Sequence, residues 1–142
     1  MIILDTNVLS ELMRANPDEN VLAWLDVQNM QDLQTTAVTV AELFYGVQRL
    51  PHGRRKSALR GAIESMLDGE LAGKVLPFDD HSARQYAMLV AEREAQGRPI
   101  SSADAQIAAI CHSRDAALAT RNGKDFEGTG VLVIDPWTAD VE

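Results

Sequence analysis

Hydrophobic positions along the chain fall into short runs separated by longer stretches of helical spacing. Ile2-Ile3-Leu4 is an apolar run of strand length that stops at Asp5. Val8, Leu9, Leu12 and Met13 follow at helical spacing, and Asn16-Pro17 predicts the next helix start, with Val21, Leu22 and Leu25 as its stripe. Leu33 to Val38 predicts a second strand. A helix from about Thr39 to Arg49 carries Val40, Leu43, Phe44 and Val47 on one face, and Pro51 to Gly53 break the chain. Arg54 to Leu71 predicts a long helix with Leu59, Ile63, Met66 and Leu67 inward, and Val75-Leu76 a short strand. Asp79 to Ala95 predicts a helix with Ala83, Tyr86, Ala87 and Val90 in phase. Ser101 to Arg114 is apolar nearly all round, the pattern of a buried helix. Ala117–Thr120 and Val131–Ile134 are the last strand candidates. Strands alternating with helices, without hairpin turns, predict an α/β fold with three α/β/α layers and a mainly parallel central sheet. The length predicts one domain over residues 1–142.

In such sheets the working site lies beyond the carboxyl ends of the strands. Four acids fall there. Asp5 ends the first strand, Glu42 is expected in the first turn of the helix after the second, Asp104 in the first turn of the buried helix, and Asp125 after the Ala117–Thr120 strand. Crowded carboxylates repel one another and shift each other's pKa. A divalent cation relieves that repulsion, and an all-oxygen donor set selects Mg²⁺ or Mn²⁺ over Zn²⁺. Each acid also has a plain structural explanation. Thr39-Val-Ala-Glu42 has the spacing of a capping box, Ser101-Ser-Ala-Asp104 the related one, and Asp125 beside Gly123 suits a turn. Asp5 is the hardest to explain away, because an acid ending a buried strand needs a partner. The joint placement of four acids is the argument for a site.

Charge and composition change this picture in two ways. The chain has 13 basic and 21 acidic side chains, a formal net charge of −8, three His and one Cys. Half of the acidic excess is carried by the four candidate acids. One Cys excludes an intramolecular disulfide and is expected to be core packing at Cys111, and His52, His81 and His112 show no ligand spacing. A reducing, cytoplasmic setting is expected, and no apolar run reaches membrane-spanning length. The acidic balance argues against gripping nucleic acid over the whole surface. Arg54-Arg-Lys56 with Arg60 forms a small basic cluster, more simply a solvated face than an RNA contact. Arg121 and Lys124 stand near Asp125, able to touch a phosphate or to neutralise the acids. Trp24 and Trp137 are expected to pack, and no run of aromatics offers a base-stacking platform.

Four segments in order resemble the PIN-domain family. They are Ile2-Ile-Leu-Asp5-Thr-Asn7, Val40-Ala-Glu42-Leu-Phe-Tyr-Gly46, Gly97-Arg-Pro-Ile-Ser-Ser-Ala-Asp104-Ala-Gln-Ile-Ala-Ala109 and Ala119-Thr-Arg-Asn122-Gly-Lys-Asp125-Phe126. The resemblance spans Ile2 to Trp137 and is closest to VapC-type toxins of toxin–antitoxin modules, within them to FitB-like members. It implies a cytoplasmic, Mg²⁺- or Mn²⁺-dependent endoribonuclease with an α/β/α fold, whose catalytic and metal-holding acids are Asp5, Glu42 and Asp104. Asp125 is the expected fourth, with Asn122 as the competing contributor. Thr6 and Asn7, and near the fourth position Thr120 and Arg121, are implied as supporting residues. The metal would lower the pKa of an attacking water and steady the charge on the phosphorus, leaving 5′-phosphate and 3′-hydroxyl ends. The resemblance also implies an RNA substrate, a homodimer, and an antitoxin with a DNA-binding domain, whose tail lies across the active site. The acidic balance itself favours a basic partner over the cleft, for which an Arg inserted from the antitoxin is suited.

Three other readings use the same strand-end acids. A haloacid-dehalogenase-type phosphatase needs a second Asp two residues after the first, where this chain has Asn7. A response-regulator receiver needs an adjacent acidic pair after the first strand and a Lys after the last, and neither is clear. A non-catalytic interaction module, with acids that only cap helices, differs from a nuclease in showing no Mg²⁺ or Mn²⁺ dependence.

Overall fold

The computed structural model describes residues 1–141; Glu142, the end of the expected 1–142 domain, lies outside the described residues. Five strands form one sheet: β1 (Ile2–Leu4), β2 (Leu33–Thr36), β3 (Val75–Leu76), β4 (Ala117–Ala119) and β5 (Val133–Ile134), ordered β3-β2-β1-β4-β5 and parallel throughout. The register sets Ile3 beside Gln34 of β2 on one side and Leu118 of β4 on the other. Six helices complete the chain: α1 (Thr6–Leu12), α2 (Glu19–Asp26), α3 (Ala37–Gln48), α4 (Arg54–Asp68), α5 (Asp80–Ala95) and α6 (Ser102–Arg114). The expected α/β class and parallel sheet are thus observed. Among the described residues no helix is long and apolar enough to cross a membrane.

Successive strand residues point to opposite sheet faces, so the two faces build two cores. Leu4, Leu33 and Ala119 pack with Val8, Val21, Trp24, Leu43 and Ile63 under α1–α4. Ile3, Leu76 and Leu118 pack with Leu89, Phe126 and the α6 residues Ala105, Ile107 and Ile110. Helix α6 is buried on most sides, as its composition predicts.

Several boundaries and faces differ from the sequence expectation. Strand β2 ends at Thr36, not Val38. The Thr36 hydroxyl accepts the Thr39 N–H (3.1 Å) and starts α3 at Ala37, two residues early. Helix α2 is capped by Asp18, which accepts the Asn20 N–H (2.8 Å), rather than by Asn16; its buried face is Val21 and Trp24, and Leu22 is exposed. Helix α4 stops at Asp68, before Leu71. On α5 the inward residues are Ser82, Leu89 and Arg93, whereas Ala83 and Ala87 face out. Small alanines follow helical phase without fixing which face is buried.

Candidate active site

The strand order reverses direction between β1 and β4, and ligand crevices of open α/β sheets lie at such switch points. Asp5 leaves the end of β1 there and Thr120 leaves the end of β4. The Asp5 N–H donates to the Ala119 carbonyl (3.0 Å), extending the β1–β4 ladder one step into the site. Asp5 is only 5% exposed and caps α1. Its Oδ1 accepts the Thr6 N–H (2.8 Å) and its Oδ2 the Thr120 hydroxyl (2.7 Å), with the Asn7 amide at 3.4 Å.

Thr120 Oγ1 also accepts the Asn7 Nδ2 (3.0 Å) and the Asn122 N–H (3.1 Å), and the Asn7 Oδ1 accepts the Arg121 N–H (3.0 Å). Residues 5–7 and 120–122 are therefore laced together by side chains. Thr6, Asn7 and Thr120 each hydrogen-bond to Asp5 directly.

Glu42 lies in the second turn of α3, because the helix begins at Ala37. Its capping-box explanation fails: Thr36, not Thr39, is the cap. The Glu42 Oε1 instead accepts the Thr6 hydroxyl (2.7 Å), and the Thr39 hydroxyl lies 3.3 Å behind that of Thr6. Asp104 does sit in the first turn of α6, where its N–H donates to Ser101 Oγ (3.2 Å).

Asp5, Thr6, Asn7, Glu42, Asp104, Arg121 and Asn122 all line one open cleft of about 540 Å³. Asp125 does not. It lies in the Gly123–Phe126 turn and lines an adjoining hollow with Ser101, Asp104 and Lys124. The expected set of four thus divides: three acids and Asn122 line the cleft, and Asp125 lines the adjoining hollow that shares Asp104 with it.

Burial pushes the carboxyl of Asp5 above its ordinary range, against the pull of the Thr120 and Thr6 hydrogen bonds. The neighbouring charges of Asp104 and Glu42 push the same way as burial. Burial likewise raises Asp104, with the Ser101 hydroxyl opposing and the charges of Asp125 and Glu42 adding. Among the described residues neither acid, nor Glu42, nor Asp125 has a Lys or Arg partner within 4.0 Å. Arg121 stacks on the Trp137 ring (4.9 Å to its centroid), and Arg14 pairs with Glu11 (3.2 Å).

Hard oxygen donors carrying uncompensated negative charge fit a hard divalent cation. Among the described residues, however, no three His, Cys, Asp or Glu side chains are gathered closely enough to hold a metal ion as they stand. The donor chemistry fits, and the arrangement is open.

Four cleft residues were not anticipated from the sequence: Ser10, Glu11, Arg14 and Trp137. Glu11 and Arg14 follow Asn7 at helical spacing, which is the signal that places them on the same face. Glu11 is buried and accepts the Asp18 N–H (3.0 Å). Arg93 was also missed. It is buried, and its guanidinium donates to the carbonyls of Arg98 (2.7 Å), Asp125 (3.2 Å) and Glu127 (2.7 Å), pinning the turn that bears Asp125. Cys111 and both Trp residues pack in the core, as expected.

The sequence profile described as PIN domain matches residues 2–132. The chain is 44% identical over 137 residues to VapC ribonuclease Y4jK of Sinorhizobium fredii, covering 96% of this chain and 98% of that protein. It is 40% identical to toxin FitB of Neisseria gonorrhoeae, covering 96% and 99%. Among solved structures, FitAB bound to an IR36 DNA fragment superposes with a TM-score of 0.91 at 38% identity, covering 99% of this chain and 98% of that one. With the profile matched over nearly its whole length, and an acid-lined cleft at the switch point of the expected sheet, the chain belongs to the PIN-domain family.

Proposed function

We propose that the protein is a divalent-metal-dependent endoribonuclease, the toxin half of a VapBC-type toxin–antitoxin pair. The observation that carries this reading is that buried Asp5 and half-buried Asp104, neither with a Lys or Arg partner within 4.0 Å among the described residues, face one cleft with Glu42. The similarity to a VapC ribonuclease and to toxin FitB supports it.

Asp5, Glu42 and Asp104 are the residues that would hold Mg²⁺ or Mn²⁺, with Asn122 or Asp125 contributing a fourth oxygen. A bound ion supplies Lewis acidity, lowering the pKa of a water and offsetting charge on the phosphate. The chain supplies position. Thr6 N–H and Thr120 hold the Asp5 carboxylate, the Thr6 hydroxyl holds Glu42, and the first turn of α6 holds Asp104. Water adds to phosphorus as the P–O3′ bond breaks, leaving a 3′-hydroxyl and a 5′-phosphate; no protein nucleophile takes part.

The partner is an antitoxin that joins a DNA-binding domain to a tail lying over the cleft, with the toxin itself dimeric. The structural similarity to FitAB bound to DNA supports such an assembly. The deciding experiment incubates purified protein with RNA in Mg²⁺, in Mn²⁺ and in EDTA, and sequences the 5′ ends. Metal-dependent cuts with 5′-phosphates are expected, and are lost in folded Asp5→Asn and Asp104→Asn variants. Full activity in those variants refutes the reading. Absence of any metal effect on activity or stability supports a non-catalytic module instead.

A further inference from the structure

The cations of this acidic protein are unevenly spread. The stretch from Leu43 to Ile63 holds five of the 13 basic side chains and none of the 21 acids. It forms the end of α3, the turn at Pro51–Gly53 and the start of α4. Arg49, Arg54 and Arg55 are exposed and Arg60 is half-buried. Among the described residues none of these four has a carboxylate within 4.0 Å, whereas Arg14, Arg84, Arg98 and Arg114 all do. Lys56 is the exception in its role. It is buried and donates to the Gln48 carbonyl (3.3 Å), fastening the two helices together.

Stability does not account for the cluster. Three cations occupy the first turn of α4, whose cap, Gly53, offers no side-chain acceptor. Positive charge at that end of a helix opposes the helix dipole.

Position does account for it. A groove of about 280 Å³, walled by Met13, Leu43, Gly46, Leu59 and Ile63, opens from the acidic cleft, with Thr6, Ser10, Arg14 and Glu42 lining both. Arg60 follows Leu59 directly and precedes Ile63 by three, so it stands on the flank of α4 beside this groove. Arg49 lies about 10 Å beyond Glu42 along α3 at 1.5 Å per residue.

We propose that the α3–α4 hairpin is a docking surface for the sugar–phosphate backbone of single-stranded RNA that runs out of the acidic cleft along this groove. The inference rests on the nuclease reading and deepens it. Charge complementarity favours a polyanion, and continuity with the cleft favours the molecule cut there over an acidic protein segment. Cations concentrated on one exit also explain how a protein of net charge −8 holds RNA: phosphates are gripped away from the acids.

The test uses the full chain with Arg54→Glu/Arg55→Glu, with Arg60→Ala, and with the milder Arg54→Gln/Arg55→Gln pair. Anisotropy in EDTA reads binding of a labelled mixed-sequence single-stranded RNA 20-mer, of duplex DNA of equal length, and of a poly-glutamate competitor. The charge-reversed pair is expected to weaken RNA binding about tenfold or more at low salt. Its slope of log K against log salt should shrink by about 1.4, near 0.7 per lost phosphate contact. In cleavage, KM should rise with little change in kcat, and Tm should stay level or rise because the helix dipole is better served. If the Glu pair misfolds, the Gln pair carries the same expectations at reduced size.

RNA affinity and salt slope within twofold of wild type in all folded variants overturn the proposal. So does an equal loss for duplex DNA with kcat/KM on RNA intact, or poly-glutamate competing as well as RNA. Hairpin-dependent RNA binding by a wild type that cuts nothing with any metal would sink the nuclease reading and leave the docking surface standing. Cleavage by wild type and variants alike would do the reverse.

Discussion

Replacing Thr120 by Val tests whether the cleft is held by the lacing between the ends of β1 and β4. Thr120 is fully buried, and Val preserves its shape. The substitution removes a 2.7 Å hydroxyl donor to a carboxylate and the acceptor for two donors, the Asn7 amide and the Asn122 N–H. Hydrogen bonds to charged groups are worth about 1.5–3 kcal/mol net, and a stranded buried donor costs about 1–3 kcal/mol. Asn7 and Asn122 line the open cleft, so water recovers part of the second loss. The expected cost is about 2–4 kcal/mol, a large share of the roughly 5–15 kcal/mol that holds a domain together. With an unfolding entropy near 2.1 cal/mol/K per residue, that lowers Tm by about 7–13 °C. Thr120→Ser keeps the hydroxyl and loses one methyl, about 0.8 kcal/mol.

Chemistry gives a second reading of the same change. The Thr120 hydroxyl is the first of the bonds that hold the Asp5 carboxyl down against burial. Without it the carboxyl rises further, so the acid limb of the cleavage pH profile should move to higher pH in Thr120→Val and stay put in Thr120→Ser. Denaturant melts of the metal-free proteins and a pH series of initial rates measure both. A Val variant as stable as the Ser variant, with an unmoved acid limb, would refute the reasoning.

Neutralising the acids should stabilise the empty protein. Asp5 and Asp104 have raised folded pKa values, so the stability they confer is full below about 3.8 and is lost as pH rises through the folded values. Melting curves of metal-free Asp104→Asn at pH 7 should therefore match or exceed wild type, whereas Asp5→Asn offsets the same gain by losing the oxygen that accepts the Thr120 hydroxyl. Added Mn²⁺ should raise Tm of the wild type alone. Arg93→Met should cost about 3 kcal/mol by stranding three carbonyls, and Arg93→Lys less; equal melting of Met, Lys and wild type would show that the clamp is idle. Burial, and secondarily the charge of Asp5, push the Cys111 thiol up to about 12, so a thiol reagent should label it only in denaturant. Affinity for the antitoxin should fall in Asp5→Asn/Glu42→Gln/Asp104→Asn, as titration calorimetry would show, and an unchanged affinity would exclude the acids from that interface.

The fold was legible because its strands are short apolar runs whose ends are chemically abrupt. Ile2-Ile3-Leu4 stops at an acid, and Ala117–Ala119 stops at a hydroxyl that the acid needs. The acids Asp5, Glu42 and Asp104 were legible for the same reason: strand ends in a parallel sheet share one edge. What was obscure lay in competition between similar residues. Thr36 and Thr39 both suit a cap, and only the end of β2 decides that Thr36 takes it, which frees Glu42 for the cleft. The spacing from Asn122 to Asp125 could not show that Asn122 lines the cleft and Asp125, inside a tight turn, the adjoining hollow. Arg93 was invisible because a buried arginine satisfied by carbonyls leaves no charged partner in the sequence to betray it.

The bond from Thr120 to Asp5 closes a span of 115 residues. Strand β1 is made more than a hundred residues before β4 and has no neighbour on that side until β4 has been made. A growing or truncated chain therefore carries Asp5 without the hydroxyl that fixes it and without the residues that form the far wall of the cleft. The order of synthesis therefore sets the order of assembly: a site built this way is completed only after β4 and the residues that follow it have been made.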